Sequence, residues 1–296
     1  MSELMSERGM LEVESLPFWS GPIKVWPIGN GATNRNYGVQ QADGQRFAVR
    51  LGQDLPQHGV MRFNEQAAAQ AAARAGISPK IHYTAPGVIV SRLLPGRSLE
   101  IDEVRLPQNL HRIAALMRRC HSGTSGYLQG PILAFWVFHL NRTYASALDK
   151  TQTRLDDMLP RLVEINAALE RRVGKVDIAL GHNDLMASNI FDDGVRLWLL
   201  DWDHAGFNAP LFDLASLSVN NRFYAEDDAT LLETYFGVAQ PEGVWDGFRA
   251  FKCAALLRRT LWSALAETSP EARHGDNQVT TDESLSRLDA ALAELD

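Results

Sequence analysis

Leu180-Gly181-His182-Asn183-Asp184-Leu185-Met186-Ala187-Ser188-Asn189-Ile190, followed by Leu199-Leu200-Asp201-Trp202-Asp203, is the stretch from which the fold is read. Ile178–Leu180 is extended and enters a polar loop. Ile190 and Phe191 leave it, Asp192-Asp193-Gly194 turns the chain, and Val195–Leu200 returns as a strand. That hairpin carries Asp201 back beside the loop holding Asp184 and Asn189. A carboxylate, an amide oxygen and a second carboxylate therefore converge from a β frame. Hard oxygen donors, few in number, suit Mg²⁺, which fills its octahedron with water and phosphate. Phosphoryl transfer needs that cation and a carboxylate to orient the acceptor hydroxyl and take its proton. On this reading Asp184 is the base, and Asn189 and Asp201 are the metal ligands. The bland alternative is a hairpin with two solvated Asp-bearing ends.

Upstream, Pro27 to Tyr37 is a polar, glycine-bearing segment in which Gly29 and Gly31 let backbone N–H groups approach a phosphate and Thr33 and Asn34 add polar contacts. In isolation such a segment is more often a surface turn. Two short strands follow, Tyr37–Gln41 and Arg46–Leu51, joined by Ala42-Asp43-Gly44. The alanine-rich run from Arg62 to Ala75, stopped by Gly76, predicts a helix. Ile81–Tyr83 and Val88–Val90 restore extended structure, and Leu94-Pro95-Gly96 breaks it. A lobe boundary there separates residues 1–94 from 95–296.

The second lobe is mostly helical, with helical spacing over Leu110–Cys120, Phe138–Leu148, Thr153–Arg172 and Trp245–Glu267. Thr280-Thr281-Asp282-Glu283 has the spacing of a capping box, with Leu285, Leu288, Leu292 and Leu295 on one stripe behind it. The expected class is α+β: a small antiparallel-sheet lobe and a mostly helical lobe.

A net charge of −7 argues against a nucleic-acid partner. The longest apolar run, Ile132 to Phe138, is far short of the ~20 residues of a membrane helix, so no membrane partner is expected. Two cysteines, Cys120 and Cys253, suggest a reducing compartment, and the acidic, polar start is unlike a signal peptide. A cytoplasmic location is the expectation. The run Glu226-Asp227-Asp228 is read as a solvated face.

His-x-Asp-x-x-x-x-Asn followed by a strand ending in Asp resembles the catalytic and metal motifs of the protein-kinase-like fold. The wording HNDLMASNI…LLDWDHAGFNAPLFDLASL is similar to the choline/ethanolamine kinase and aminoglycoside phosphotransferase group, and the resemblance runs from Gly29 to the helix containing Trp262. It implies a two-lobed ATP-dependent small-molecule kinase in which the Gly29–Asn34 segment covers the triphosphate. It implies that Arg50 stands where protein kinases have lysine, with Glu65 as its carboxylate partner, and that the backbone from Arg92 to Leu94 contacts adenine. Asp213 matches a position that bonds the catalytic-loop backbone, and His182 is a packing group. Asp203 assists the metal or meets a cationic substrate, or is simply solvated.

The resemblance further implies an aromatic cage for a quaternary ammonium ion. Trp262 matches one cage residue, and Phe223 and Tyr224 lie near another. His204 and Arg259 replace aromatics of the pattern, and Asn220 replaces a carboxylate. The expected acceptor is a small-molecule alcohol, an amino alcohol first, with an aminoglycoside, thiamine or a sugar as alternatives. A nucleotide-binding module without activity is the rival class.

Overall fold

The computed structural model describes residues 2–30, 33–239, 243–268 and 277–295. After a first helix, α1 (Ser2–Glu14), come strands β1 (Ile23–Asn30), β2 (Asn34–Gln41) and β3 (Arg46–Gly52). Helix α2 (Arg62–Arg74) and the hairpin β4 (Ile81–Ala85) and β5 (Val88–Arg92) complete this part. The five strands form one antiparallel sheet in the order β1-β2-β3-β5-β4. Alternation in β3 sends Phe47, Val49 and Leu51 inward, where they meet Val39, Val90 and Val13 of α1.

Beyond the sheet the chain is helical: short β6 (Arg97–Ser98), α3 (Ile101–Val104), α4 (Pro107–Gly123), α5 (Val137–Leu148) and α6 (Leu159–Val173). A polar interruption contains β7 (Ala179–Gly181), β8 (Ile190–Asp192), β9 (Leu197–Leu199) and β10 (Gly206–Asn208). Helices α7 (Pro210–Asn220), α8 (Ala225–Phe236), α9 (Val244–Thr268) and α10 (Asn277–Ala293) follow. Helix α9 is the axis of the larger core, packed on α5, α6, α7 and α10. Helix α2 joins that core through Ala68, Ala69 and Ala72, whose small side chains allow close approach. The expected α+β, sheet-then-helices arrangement is what the chain adopts.

Several elements differ from the sequence reading. The segment entered at Pro27 is not all loop, because β1 runs to Asn30. Its pattern is hidden by Pro27, tolerated because β1 is an edge strand with a bulge between Pro27 and Gly29. Helix α6 starts at Leu159 rather than Thr153, because Pro160 lacks an N–H and belongs in a first helical turn. The capping box is absent: α10 already begins at Asn277, and Thr281 is buried inside it. The Thr281 hydroxyl is spent on Glu267 Oε1 at 2.6 Å and Ser263 Oγ at 2.8 Å. The leucine stripe behind it does pack on the core. Asp228 is not on a solvated face but buried against Lys252 Nζ at 2.6 Å. Cys120 and Cys253 are buried free thiols. Among the described residues no helix is long and apolar enough to cross a membrane.

Candidate active site

Strand β7 delivers the chain into the loop Gly181–Asn189, which is held on three sides. Asp213, in the first turn of α7, accepts the backbone N–H of His182 at 2.8 Å and of Asn183 at 2.5 Å, and faces His121 Nε2 at 2.9 Å. That approach requires glycine at 181, since a Cβ there would lie 2.9 Å from Asp213 Oδ2. His182 Nε2 donates to the Leu200 carbonyl at 2.8 Å, and its ring lies against Trp202. Asn183 takes a left-handed backbone (φ 66°), which Asn tolerates, and its amide donates to the His204 carbonyl at 3.1 Å. His182 and Asp213 thus act through packing and backbone contacts.

The loop then presents its chemistry. Asn189 Nδ2 donates to the Asp184 carbonyl at 2.9 Å, and since only the amide nitrogen can donate there, Oδ1 is the atom left over. The backbone N–H of Leu200 bonds the Asn189 carbonyl at 2.9 Å, tying the returning strand to the loop. Asp201 follows with φ 68°, a sparsely populated conformation for a side-chain-bearing residue. Its carboxylate is partly exposed and contacts Arg50 Nη2. Two hard oxygen donors at the rim of open space fit a divalent ion that takes few protein ligands. Among the described residues no cluster of three or more His, Cys, Asp or Glu side chains stands ready to hold a metal alone. Such a set matches Mg²⁺ completed by phosphate oxygens rather than a closed structural metal site.

Arg50, on β3, is mostly buried and bridges the two halves. Its Nε lies 2.5 Å from Glu65 Oε1 on α2, and its Nη2 reaches Asp201 and, at 3.5 Å, Asp203. Burial opposes its charge, yet these three carboxylates outweigh it and hold the guanidinium protonated. Arg62 fixes Glu65 from the other side at 2.6 Å and also donates to the Thr33 carbonyl at 2.6 Å. Thr33 in turn donates to Asp203 Oδ2 at 2.6 Å. Burial alone would raise the Asp203 carboxyl, but His204, Arg50 and the Thr33 hydroxyl outweigh it and keep it down at about 2. Burial pushes His204 the other way, toward the neutral ring, with Asp203 opposing.

Two cavities open on this cluster. One, of about 470 Å³, lies under the sheet and is lined by Gly29, Arg50, Glu65, Arg92, Leu94 and Phe191, among others. The second, of about 350 Å³, faces α7 and α9 and contains Asp184, Asp203, His204, Arg258, Arg259 and Trp262. Ser188, Asn189 and Asp201 line both, so the cavities meet at the two predicted metal ligands. Thr33 faces the second cavity, not the first. Asn34 lines neither; it is buried and bonded to Thr33 Oγ1 at 3.1 Å and to the Asn36 amide at 2.9 Å. Gly31 lies outside the described residues.

Of the expected aromatic cage, Trp262 alone lines the second cavity. Phe223 packs on the helical core, and Tyr224 is exposed with Arg105 over its ring at 5.0 Å. The sequence reading missed Arg258, which is buried and sets Nη1 3.3 Å from Asp184 Oδ1. A signal for it exists, because Arg258 falls on the buried stripe of α9 with Ala254, Leu261 and Leu265. It also missed Asn64, whose amide donates to the Ala205 carbonyl and accepts the Leu133 N–H, both at 2.7 Å. No local pattern marks that residue.

Comparison with known proteins places this geometry. The family model described as "Phosphotransferase enzyme family" matches residues 24–251, well over half the chain. Protein LicA of Haemophilus influenzae is 26% identical over 290 residues, covering 95% of this chain and 80% of LicA. A choline/ethanolamine kinase family protein from Mesorhizobium loti superposes with a TM-score of 0.77 at 25% identity, over 97% of this chain and 95% of that one. Choline kinase LicA from Streptococcus pneumoniae shares the fold, with a TM-score of 0.78 at 21% identity and coverage of 97% and 99%. The protein-kinase-like architecture is therefore shared along nearly the whole length. The chain belongs to the phosphotransferase enzyme family and is similar along nearly its whole length to a choline/ethanolamine kinase family protein.

Proposed function

We propose that this enzyme transfers the γ-phosphoryl group of ATP to the hydroxyl of a small-molecule amino alcohol such as choline or ethanolamine. The observation that carries this reading is the junction of the two cavities at Ser188, Asn189 and Asp201, with Asp184 on the far side of the junction from Glu65. In this reading residues 1–94 cover the nucleotide and residues 95–296 carry the base and the acceptor groups. ATP lies in the larger cavity, with adenine against the Arg92–Leu94 segment and phosphates beneath Gly29. Arg50, braced by Glu65, offers its guanidinium fork to phosphate oxygens. Asn189 and Asp201 would hold Mg²⁺, which when bound neutralises charge on the transferring phosphoryl group.

The acceptor hydroxyl sits against Asp184, which orients it and takes its proton. Arg258 holds that carboxylate in place from α9. Asp203, His204, Arg259 and Trp262 surround the rest of the acceptor. The relatives described as choline and ethanolamine kinases, together with the Trp262 face, support an amino alcohol.

The test is ADP release on adding choline, ethanolamine, an aminoglycoside, thiamine or a sugar to the protein with Mg·ATP. Release with an amino alcohol at more than ten times the rate without acceptor is expected. Asp184→Asn should cut kcat by roughly 10²- to 10⁴-fold while nucleotide affinity stays within about threefold. Nucleotide binding with no ADP from any acceptor would favour the inactive module instead.

A further inference from the structure

The acceptor cavity holds three carboxylates and two guanidiniums, and their pairing is uneven. Asp184 has Arg258 at 3.3 Å, Asp201 has Arg50, and Asp203 has both Arg50 at 3.5 Å and the Thr33 hydroxyl at 2.6 Å. Arg259 has no carboxylate partner among the described residues. Its Nη1 comes only within 3.5 Å of the Asn220 amide oxygen, at the long limit of a hydrogen bond. Asn220 lines the same cavity. Nearby Arg287, half-exposed, donates to the Val219 carbonyl at 2.8 Å, while Glu283, 3.9 Å from it, is engaged more closely by Arg222 at 2.7 Å. Burial and then the charge of Arg259 push the Arg287 guanidinium below its ordinary value, as expected for two cations facing each other. The carboxylates at the transfer end are spoken for, and among the described residues Arg259, at the end near α7, has no carboxylate to pair with.

Trp262 lies one helical turn beyond Arg259 on the same helix and lines the same cavity. A quaternary ammonium on that ring would sit beside a guanidinium whose side-chain partner, among the described residues, is the Asn220 amide rather than a carboxylate. We propose that Arg259 binds an anionic group of the acceptor, a carboxylate or a phosphate, so that the preferred amino alcohol bears such a group in addition to its amine. This rests on the acceptor-site reading above and narrows it. An amine on the same molecule takes the Trp262 and Asp203 side, while the anion pairs with the fork of Arg259.

Serinol, L-serine and serinol phosphate test this directly: they share an amino alcohol and carry no anion, a carboxylate and a phosphate respectively. ADP release is measured with Mg·ATP, and calorimetric binding is measured on the full chain with Mg·AMP-PNP. L-serine or serinol phosphate should exceed serinol at least tenfold in kcat/KM, or in affinity where nothing is transferred, and the stronger of the two identifies the anion. In Arg259→Met that ratio should fall to within threefold of one. Asn220→Asp, which supplies a carboxylate to the guanidinium without removing it, should do the same. Because each ratio is taken within one variant, partial misfolding cancels. Serinol, choline or ethanolamine performing as well as both anionic compounds overturns the proposal, as does a preference that survives both substitutions or an absence of binding by either anionic compound. Turnover of plain amino alcohols without regard to the anion would leave the kinase reading standing. Anion-dependent binding that Arg259→Met abolishes, with no ADP release, would sink that reading while leaving Arg259 as the anion-binding residue of the cavity.

Discussion

Asp213 shows how one side chain can hold a catalytic loop without touching substrate. Its two oxygens take the N–H groups of His182 and Asn183, and no water can replace them because all three residues are buried. Burial works against its charge, but His121 and the backbone donors more than offset this and hold its carboxyl below the usual range. Asp213→Ala should leave three buried donors unsatisfied, the two backbone N–H groups and His121 Nε2, at about 1–3 kcal/mol each. A loss of roughly 3 kcal/mol in urea unfolding is the expected result, together with a fall in kcat as the loop loses its register. Unfolding that matches the unsubstituted protein would mean that the loop is held by Asn183 and His182 alone.

At the scale of the element, the hairpin β8–β9 has Asn189 just before its start and Asp201 just past its end, so its orientation fixes their separation. The turn end is tied to α4 by Arg112, whose guanidinium donates to Asp192 at 2.8 Å and 3.1 Å. The Arg112 hydrogen bonds, with burial opposing, hold the Asp192 carboxyl below its ordinary value of 3.8. A carboxyl lowered on folding contributes stability above its unfolded value, and that contribution is lost as pH falls through the folded value. Stability should therefore carry an acid limb below about pH 4 to which this pair adds, less than about 1 kcal/mol at its partly exposed position. Arg112→Met should shallow that limb and lower stability at neutral pH. An identical pH profile for the two proteins would show that the tie does not matter.

Across the whole molecule, the sheet and the helical part are joined by shared apolar packing and by specific polar contacts. Arg50 reaches Asp201, Thr33 reaches Asp203, and Asn64 on α2 bonds Ala205 and Leu133. A nucleotide in the larger cavity touches both parts and would strengthen their union. Mg·ADP at about 100 times its Kd should add about 2.7 kcal/mol, raising Tm on the order of 4 °C for a chain of this size. Asp201→Ala should keep part of the shift with ADP alone but lose the additional Mg²⁺-dependent part. A full Mg²⁺ response from that variant would remove Asp201 from metal binding.

The spacing of Asp184, Asn189 and Asp201 was legible because all three belong to one loop and one hairpin, where local turn residues and strand period set the geometry. The alanine-rich helix and most of the long helices were legible for the same reason, since their patterns are short-range. Strand β1 was hidden because edge strands tolerate Pro27, and α10 began early because Thr281 finds buried partners in α9 rather than a cap. Tertiary structure alone decided which cation each carboxylate receives. Arg50 meets Asp201 across 151 residues of chain and Arg258 meets Asp184 across 74. No periodicity encodes such pairs, because charge neutralisation in a buried site depends on which surfaces pack together. The same packing left Arg259 facing the acceptor cavity beside an amide rather than a carboxylate.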